Sequence, residues 1–409
     1  MTWTIKTGDV VEWAEQYNGP KFHAMLCDPP YELGFMGKRW DGSGVSFDPA
    51  TWAALSKHLY PGAVLMAFGG TRTFHRLAVA IEDAGFEIAD TLMYVFGSGF
   101  PKSLSISKAI DKAAGAERET NGSHRDEQRT VYGARMGALR CDVCGNSRNG
   151  TSCNCTLPSP ATEAAQTWEG YGSALKPALE PIVLARKPRT GTYAQMATEY
   201  GTAALNIDGC RVGTETIQVN GYRSENGQTW EASGMLAKNV KREPTTHTGR
   251  WPANLIHDGS DEVLAGFPET TSGALNAGHK QGAGSFGKVG GDTILRNYGN
   301  DTGSAARFFY CAKASRAERE AGVDGKNHHP TVKPLSLTEY LARLILPPAG
   351  IGERRLLVPF SGSGSEMIGA KLAGWDFVQG IEQSQEYADI ALARLNHWCA
   401  EFQLSLVEA

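Results

Sequence analysis

The sequence of 409 residues has no apolar run long enough to cross a membrane. Its longest such runs, Ala63 to Phe68 and Leu344 to Leu346, fall far short of the ~20 residues that a transmembrane helix needs. The first residues do not combine a basic stretch with an apolar one, which is the pattern of a secretory signal. We therefore expect a cytoplasmic protein with no membrane partner.

The sequence also lacks an excess of positive charge, because its formal net charge is −4. A negative net charge excludes a protein whose whole surface binds nucleic acid, but it is compatible with a local basic cleft. Hydrophobic residues make up 41% of the chain and charged residues 21%, as in a folded globular protein. At ~100–200 residues per domain, the length predicts one large core with a second domain or a large insertion.

Short apolar strands alternate with amphipathic helices at both ends of the chain. Near the N-terminus the predicted strands are Phe22 to Cys27, Gly62 to Phe68 and Thr91 to Phe96. Near the C-terminus they are Arg355 to Phe360 and Phe377 to Glu382. This alternation predicts an α/β fold with a doubly wound, mostly parallel, Rossmann-like sheet.

The middle of the chain lacks this regularity. The stretch 271–304 contains nine glycines, which indicates a mobile loop and not core. We therefore expect a core in two halves that are separated in sequence. The predicted segments are a first half of the core at 1–101, an arginine-rich and cysteine-containing insert at 102–173, a core edge strand at 174–188, an irregular inserted region at 189–327, and a second half of the core at 328–409.

The first motif that can take part in a reaction is Asp28-Pro29-Pro30-Tyr31, directly after a predicted strand. Consecutive prolines cannot continue a sheet, so the motif forms a rigid turn at the edge where α/β sheets bind ligands. Asp28 and a carbonyl near Pro29 can accept both N–H groups of an exocyclic amine, and Tyr31 can stack on its ring. The alternative is an ordinary turn with a solvated aspartate.

The second motif, Phe360-Ser361-Gly362-Ser363-Gly364, lies between a predicted strand and a predicted helix. Its glycines allow a ligand to approach the backbone, above the N-terminus of the helix. Glu382 ends the next predicted strand, where a carboxylate can bind ribose hydroxyls. Met367 stands where a dinucleotide fingerprint has its third glycine, which disfavours a dehydrogenase. The alternative to a ligand-binding loop is a tight turn that binds no ligand.

Together the two motifs resemble those of the permuted, β-class DNA amino-methyltransferases that use S-adenosylmethionine. In that family the D-P-P-Y motif comes first, the target-recognition region next, and the F-x-G-x-G motif last. Gly8-Asp9 resembles the family's turn at the cofactor adenine, and His329 to Pro334 resembles its H-P-T-x-K-P element at the methionine end. Ala174 to Val183 resembles the strand that closes an antiparallel hairpin at the sheet edge. The resemblance covers about half of the chain.

The resemblance implies methyl transfer to the N6 amine of a flipped-out adenine in double-stranded DNA. Aspartate at the first motif position is usual for adenine and serine for cytosine, so cytosine N4 is the alternative and the N5 amide of a protein glutamine a more distant one. The residues assigned to the target amine are Asp28, Pro29, Pro30 and Tyr31, and those assigned to the cofactor are Asp9, Lys333, Phe360, Gly362, Gly364 and Glu382. The resemblance further implies a homodimer, encoded by a bacterium or a phage.

Two stretches are predicted to contact DNA. In the loop after the first motif, Lys38 and Arg39 can meet phosphates, and Trp40 can fill the gap that a flipped base leaves. The insert carries six arginines between 118 and 148, among them Arg135 and Arg140, whose planar forks suit phosphates and guanine edges. A solvated surface is the alternative for either stretch.

Four of the eight cysteines form the pattern Cys141-x2-Cys144-x8-Cys153-x-Cys155. Two close pairs of thiolates can complete a tetrahedral structural zinc site, and a segment with few apolar residues gains its fold from such a metal. The spacing favours structural zinc over free thiols. It also leaves open a third class of protein, a non-catalytic DNA-binding module that depends on zinc, which would need neither motif.

Overall fold

The computed structural model of the protein describes residues 2–34, 39–99, 103–118, 159–219, 222–224, 239–241, 245–272, 301–313, 316–323, 327, 329 and 332–407. The chain divides into two compact units. The larger unit comprises Met1–Phe96 and Leu179–Ala409, and the smaller one comprises Gly97–Ala178. Among the described residues, no helix has both the length and the apolar character that crossing a membrane requires.

The strands of the larger unit, numbered along the chain, are β1 (Thr2–Thr7), β2 (Phe22–Cys27), β3 (Leu59–Phe68), β4 (Glu87–Val95), β5 (Leu179–Arg186), β6 (Val212–Val219), β7 (Tyr222–Ser224), β8 (Asn239–Lys241), β9 (Thr245–Arg250), β10 (Leu255–His257), β11 (Glu269–Ser272), β12 (Asp301–Ser304), β13 (Tyr310–Cys311), β14 (Arg355–Pro359) and β15 (Phe377–Glu382). Its helices are α1 (Val10–Gln16), α2 (Pro49–Ser56), α3 (Phe74–Asp83), α6 (Tyr193–Tyr200), α7 (Asp261–Leu264), α8 (Arg316–Glu320), α9 (Leu335–Leu344), α10 (Ser365–Ala373) and α11 (Gln385–Val407). The smaller unit contains α4 (Ile106–Ala113) and α5 (Glu163–Thr167).

The main sheet of the described chain has nine strands in the order β1-β15-β14-β2-β3-β5-β4-β10-β13. All neighbouring pairs are parallel except the two that involve β5, which runs against both β3 and β4. This confirms the predicted α/β fold with a mostly parallel, Rossmann-like sheet. The two sequence halves contribute neighbouring strands, since β14 pairs with β2.

The predicted edge position of the antiparallel strand is wrong. The antiparallel pairing itself is confirmed, but β5 lies inside the sheet, because β10 and β13 add parallel strands beyond β4. Both of these strands come from the region predicted to be irregular. They contribute only three and two residues, too few for their place in the main sheet to be predicted from the sequence.

Both faces of the sheet are covered, which explains the continuous apolar sequence of β2. All six residues of β2 are buried. Ala24 and Leu26 belong to a core shared with α9 and α10, whereas Met25 and Cys27 belong to a core on the other side. Successive side chains of a strand point to opposite faces, so a strand packed on both sides must be apolar throughout.

The edge strand β1 and the helix α1 are not among the predicted elements. In β1, threonine and lysine alternate with Trp3 and Ile5, and only these two apolar side chains pack against the core. The strand pairs with β15 alone. An edge strand of this kind carries a weak hydrophobic signal, because half of its side chains face solvent.

In the smaller unit a buried carboxylate joins two distant segments. Asp111, at the end of α4, accepts hydrogen bonds from the Thr162 hydroxyl at 2.8 Å and from the backbone N–H groups of Ala161 and Thr162. Arg118 donates to the same carboxylate at 2.6 Å. This arginine belongs to the basic set of the insert, and within this unit it forms a structural ion pair.

We predict that Gly369→Ala lowers the free energy of unfolding by about 3 kcal/mol, at the upper end of the cost of overpacking a core. A Cβ at Gly369 of α10 would lie 2.5 Å from the Thr338 carbonyl carbon and 2.6 Å from the Glu339 nitrogen, both backbone atoms of α9. This clash outweighs the ~1 kcal/mol that alanine gains in helix propensity.

Urea denaturation measures the effect of Gly369→Ala. Gly42→Ala is the control, because a Cβ there meets no atom within 4 Å. Equal stability of the Gly369 variant and the wild type would show that α9 and α10 do not pack this closely.

Candidate active site

The two sequence motifs lie side by side, although more than three hundred residues separate them. The strands that precede them, β2 and β14, are parallel neighbours, with Ala24 opposite Leu356 and Met25 opposite Leu357. The Asp28-Pro29-Pro30-Tyr31 turn and the loop from Phe360 to Gly364 therefore leave the sheet at the same edge. This is the edge at which open α/β sheets form their ligand crevice.

A buried ammonium group lies at the centre of the first motif. The Nζ atom of Lys333 is 3.2 Å from Asp28 Oδ2, 3.0 Å from Glu180 Oε2 and 2.8 Å from the Tyr31 hydroxyl. It also lies 4.7 Å from the centre of the Phe68 ring, at the end of β3. The resemblance assigns Lys333 to the cofactor, and the structure brings its ammonium to the motif assigned to the target amine.

The charge of Lys333 is fixed by its neighbours. Burial alone would lower the pKa of this lysine, but the carboxylates of Asp28 and Glu180 and the Tyr31 hydroxyl outweigh that effect and hold its pKa well above the usual value. Glu180 reaches this edge because β5 is antiparallel, which places the beginning of that strand beside the ends of its neighbours. The sequence reasoning treated Glu180 only as part of a strand.

The other carboxylate oxygen of Asp28 faces no protein donor. Asp28 Oδ1 is buried and accepts no hydrogen bond from the described residues. The carbonyl of Pro29 likewise receives none from that part of the chain, whereas the carbonyl of Pro30 accepts from the Ser46 hydroxyl at 2.6 Å. Two acceptors on consecutive residues are thus left without a donor from the described residues, and a group with two N–H donors needs two acceptors.

The ring of Tyr31 is held against the chain that follows β3. A Cβ at Gly70 would lie 3.1 Å from Tyr31 Cδ2, so only glycine lets the backbone approach the ring this closely. The Thr73 hydroxyl donates to the Tyr31 carbonyl at 2.8 Å. Burial, together with the charges of Asp28 and Glu180, raises the pKa of Tyr31 well above its usual value, so the phenol stays protonated.

Two carboxylates brace the loop that follows the motif. Asp41 is buried and accepts the backbone N–H groups of Glu32, at 2.9 Å, and of Leu33, at 3.2 Å. Glu32 has a φ of 55° and accepts in turn from the Gly44 N–H at 2.9 Å. The loop therefore closes on itself beside Tyr31, in a backbone conformation that costs energy for a residue with a Cβ.

The glycine loop turns sharply at the end of β14. Phe360 has a φ of 62°, and Gly362 and Gly364 also have positive φ values. The Gly362 N–H donates to Glu382 Oε2 at 2.8 Å, and the Ser384 N–H donates to Oε1 at 2.9 Å. Burial raises the pKa of Glu382, and these backbone donors act in the opposite direction. Glu382 is therefore joined to the glycine loop, as a shared ligand site requires.

The Gly8-Asp9 turn lies beside Glu382, at the end of β1. The Gly8 N–H donates to the Glu382 carbonyl at 2.9 Å. Asp9 Oδ1 accepts from the N–H groups of Val11, at 2.8 Å, and Glu12, so this side chain caps the N-terminus of α1. The structure thus groups Asp9, Glu382 and the glycine loop at the ends of β1, β15 and β14. It groups Asp28, Tyr31 and Lys333 at the end of the neighbouring strand β2.

A buried carboxyl group that is not among the predicted site residues follows the glycine loop. Glu366, in the first turn of α10, is only 3% exposed. Burial, and then the charge of Asp28, raises its pKa to about 7, although Lys333 and Arg394 act in the opposite direction. An acidic residue in the first turn of a helix usually compensates the helix dipole at the surface, so its burial has no signal in the sequence.

Several predicted site residues lie outside the described residues, and their roles stay predictions. They are Lys38, Arg135, Arg140, Cys141, Cys144, Cys153 and Cys155. The backbone of Arg39 and Trp40 forms a short 3-10 helix, Arg39–Gly42, and nothing is described of these two side chains. In the described part of the chain, no group of three or more potential metal ligands is found.

No protein-family model matches the chain. Similar solved structures include DNA methyltransferases. The crystal structure of M1.HpyAVI is 13% identical, with 97% of this chain and 99% of that chain covered and a TM-score of 0.40. The cytosine-N4-specific PvuII DNA methyltransferase is 12% identical, with 96% and 86% covered and a TM-score of 0.46. A putative DNA modification methylase from Thermus thermophilus, complexed with S-adenosyl-L-methionine, is 12% identical, with 95% and 91% covered and a TM-score of 0.35.

We predict that Lys333→Met destabilises the fold by about 3–5 kcal/mol, the usual cost of removing one partner of a buried ion pair. Without the ammonium, the carboxylates of Asp28 and Glu180 are left facing each other. Acid neutralises such a pair, so the loss should be larger at pH 8 than at pH 5. Chemical denaturation at the two pH values measures it.

Lys6→Met, at an exposed lysine of β1, is the matched control and should change the stability little at either pH. A Lys333→Met variant as stable as the wild type at pH 8 would contradict the cluster described above.

Proposed function

We propose that the protein is a DNA methyltransferase that transfers the methyl group of S-adenosylmethionine to the N6 amine of an adenine flipped out of double-stranded DNA. The observation that carries this proposal is the adjacency of the Asp28 turn and the glycine loop at the ends of the parallel strands β2 and β14. A methyl donor held by one motif is then within reach of an amine held by the other. Positioning of this kind is the main contribution of an enzyme to group transfer.

The amine is held by two acceptors. Asp28 Oδ1 takes one N–H group and the Pro29 carbonyl takes the other, since the described residues occupy neither acceptor. Lys333 binds Asp28 Oδ2, so the other carboxylate oxygen of Asp28 is directed away from the ammonium. When both hydrogens of the amine point toward acceptors, the nitrogen becomes more pyramidal, and its lone pair is available for attack.

We propose that the backbone of the glycine loop binds the cofactor. A Cβ at Gly362 would lie 2.9 Å from His329 Nε2, so a larger residue would displace the imidazole that packs against the loop. Glu382 Oε1 and Oε2 each accept one backbone N–H and retain a further lone pair for ribose hydroxyls. Phe360, Gly364, Asp9 and the His329 segment complete the proposed binding site. S-adenosylmethionine, when bound, supplies a methyl group that its sulfonium already activates.

DNA is the proposed partner. The amine of a base inside a duplex cannot reach Asp28. The nucleotide must be flipped out, at a cost of a few kcal/mol. In the sequence, Lys38, Arg39 and Trp40 stand between Leu33 and Asp41, which a hydrogen bond joins, and we propose that these three residues contact the DNA at the flipped nucleotide. Cytosine N4 offers the same amine beside a ring nitrogen, so it is the alternative target, and the aspartate at position 28 favours adenine.

Identification of the methylated nucleoside tests the proposal. The protein is incubated with duplex DNA and methyl-labelled S-adenosylmethionine, and the digested DNA is analysed by mass spectrometry. N6-methyl-2′-deoxyadenosine is expected, whereas N4-methyl-2′-deoxycytidine would assign the alternative base. Label found only in a protein glutamine, or in no product, would overturn the assignment to DNA.

We predict that Asp28→Asn lowers the rate of methyl transfer by about 10²–10⁴-fold, the range for loss of a group that assists proton transfer. The amide keeps the size of the side chain but presents only one acceptor and no charge to Lys333. Binding of cofactor and of DNA, measured by calorimetry and by fluorescence anisotropy, should stay within a few-fold of wild type.

Asp83→Asn, at an exposed aspartate at the end of α3, is the control and should keep full activity. Undiminished methyl transfer by the Asp28 variant would show that the amine binds elsewhere.

A further inference from the structure

Glu366 is a buried carboxyl group that forms no ion pair in the described part of the chain. It follows the glycine loop directly, and its Oε1 atom has no hydrogen bond there. The guanidinium of Arg394 is close enough to influence it but is engaged by serines: Nη1 donates to the Ser363 carbonyl at 2.5 Å and to the Ser365 hydroxyl at 3.1 Å. A carboxyl that is buried and has no cation bound to it favours its neutral form.

The charged and titratable groups that influence Glu366 come from three parts of the chain. Asp28 and Cys27 lie at the end of β2, Lys333 in the segment before α9, and Arg394 in α11. Lys333 and Cys27 cannot accept a proton at neutral pH, because the pKa of each is raised well above its usual value and both already hold one. Burial lowers the pKa of Arg394 only to about 10, so it also stays protonated.

We propose that Glu366 receives, through Asp28, the proton that methyl transfer releases from the target amine. This inference rests on the proposed function. The amine lone pair forms the new bond to the methyl carbon, the carbon–sulfur bond breaks with its electron pair on sulfur, and the methylated nitrogen loses one proton. That proton passes to Asp28 and from there to Glu366, which releases it to solvent after the products leave.

The position of Asp28 explains why a second carboxyl is needed. Asp28 Oδ2 forms an ion pair with Lys333, and Oδ1 must be an unprotonated acceptor when the next amine binds. A proton that stays on Asp28 would break both contacts. Glu366 has an affinity for protons near neutrality and no ion pair to lose among the described residues, so it can hold the proton without disturbing Lys333. Glu366 therefore acts on the reaction only through Asp28, as the second acceptor of the proton.

The pH dependence of repeated turnover tests this role. The rate of methyl transfer is measured from pH 5.5 to 9 with duplex DNA in excess over the enzyme and with saturating S-adenosylmethionine, because Asp28 must lose its proton before each new amine binds. Only ionised Glu366 can accept the proton, so the wild-type rate should rise through pH 7 and level off above it. In Glu366→Gln, the rise should disappear and the plateau should fall by about 10²-fold. Glu366→Asp should retain a rise, because it retains a carboxyl.

Two outcomes would overturn the role of Glu366. One is a Glu366→Gln variant that keeps the rise through pH 7, since a merely structural side chain would lower the rate equally at every pH. The other is loss of the rise in Glu180→Gln, which would assign the proton to the other carboxylate of the cluster. If Glu366→Gln does not fold, a flat profile of Glu366→Asp contradicts the role as well. Wild-type protein without methyl transfer at any pH would refute the proposed function itself.

Discussion

The proposed site at the edge of the main sheet depends on one buried ammonium group. Lys333 joins three segments that are far apart in sequence: the Asp28 turn after β2, Glu180 at the beginning of β5, and its own segment before α9. A buried cation without partners would be strongly destabilising, so the fold must keep both carboxylates beside it. The same contacts orient Asp28, with one oxygen on Lys333 and the other left for a ligand. Structural stability and ligand geometry are here set by the same contacts.

The sheet topology makes this cluster possible and connects it to the glycine loop. Because β15, β14, β2 and β3 are parallel neighbours, Glu382, the glycine loop, Asp28 and Phe68 all lie at one edge. The reversed strand β5 adds its first residues to the same edge, and with them Glu180. Glu366 follows the glycine loop directly, and after burial the charge of Asp28 is the main influence that raises its pKa.

The sequence predicted the parts of this fold that depend on local pattern. Strands β2 and β14 are apolar because both of their faces are buried, and the proline turn and the glycine loop follow from backbone chemistry. The partners of Lys333 and the burial of Glu366 could not be predicted, because an acid at a strand end or in a first helical turn is ordinary in sequence. Their roles arise only from tertiary packing. The internal position of β5 was missed for a similar reason, since β10 and β13 are too short for their place in the main sheet to be predicted.

A crystal structure of the protein with S-adenosylhomocysteine and a duplex containing its target base would test the central claim most directly. The account predicts an extruded adenine whose amine nitrogen lies about 3 Å from both Asp28 Oδ1 and the Pro29 carbonyl, the ordinary length of such hydrogen bonds. The cofactor sulfur would then face that nitrogen from the glycine loop. A base or a cofactor bound away from this edge, with the Asp28 turn empty, would contradict the account.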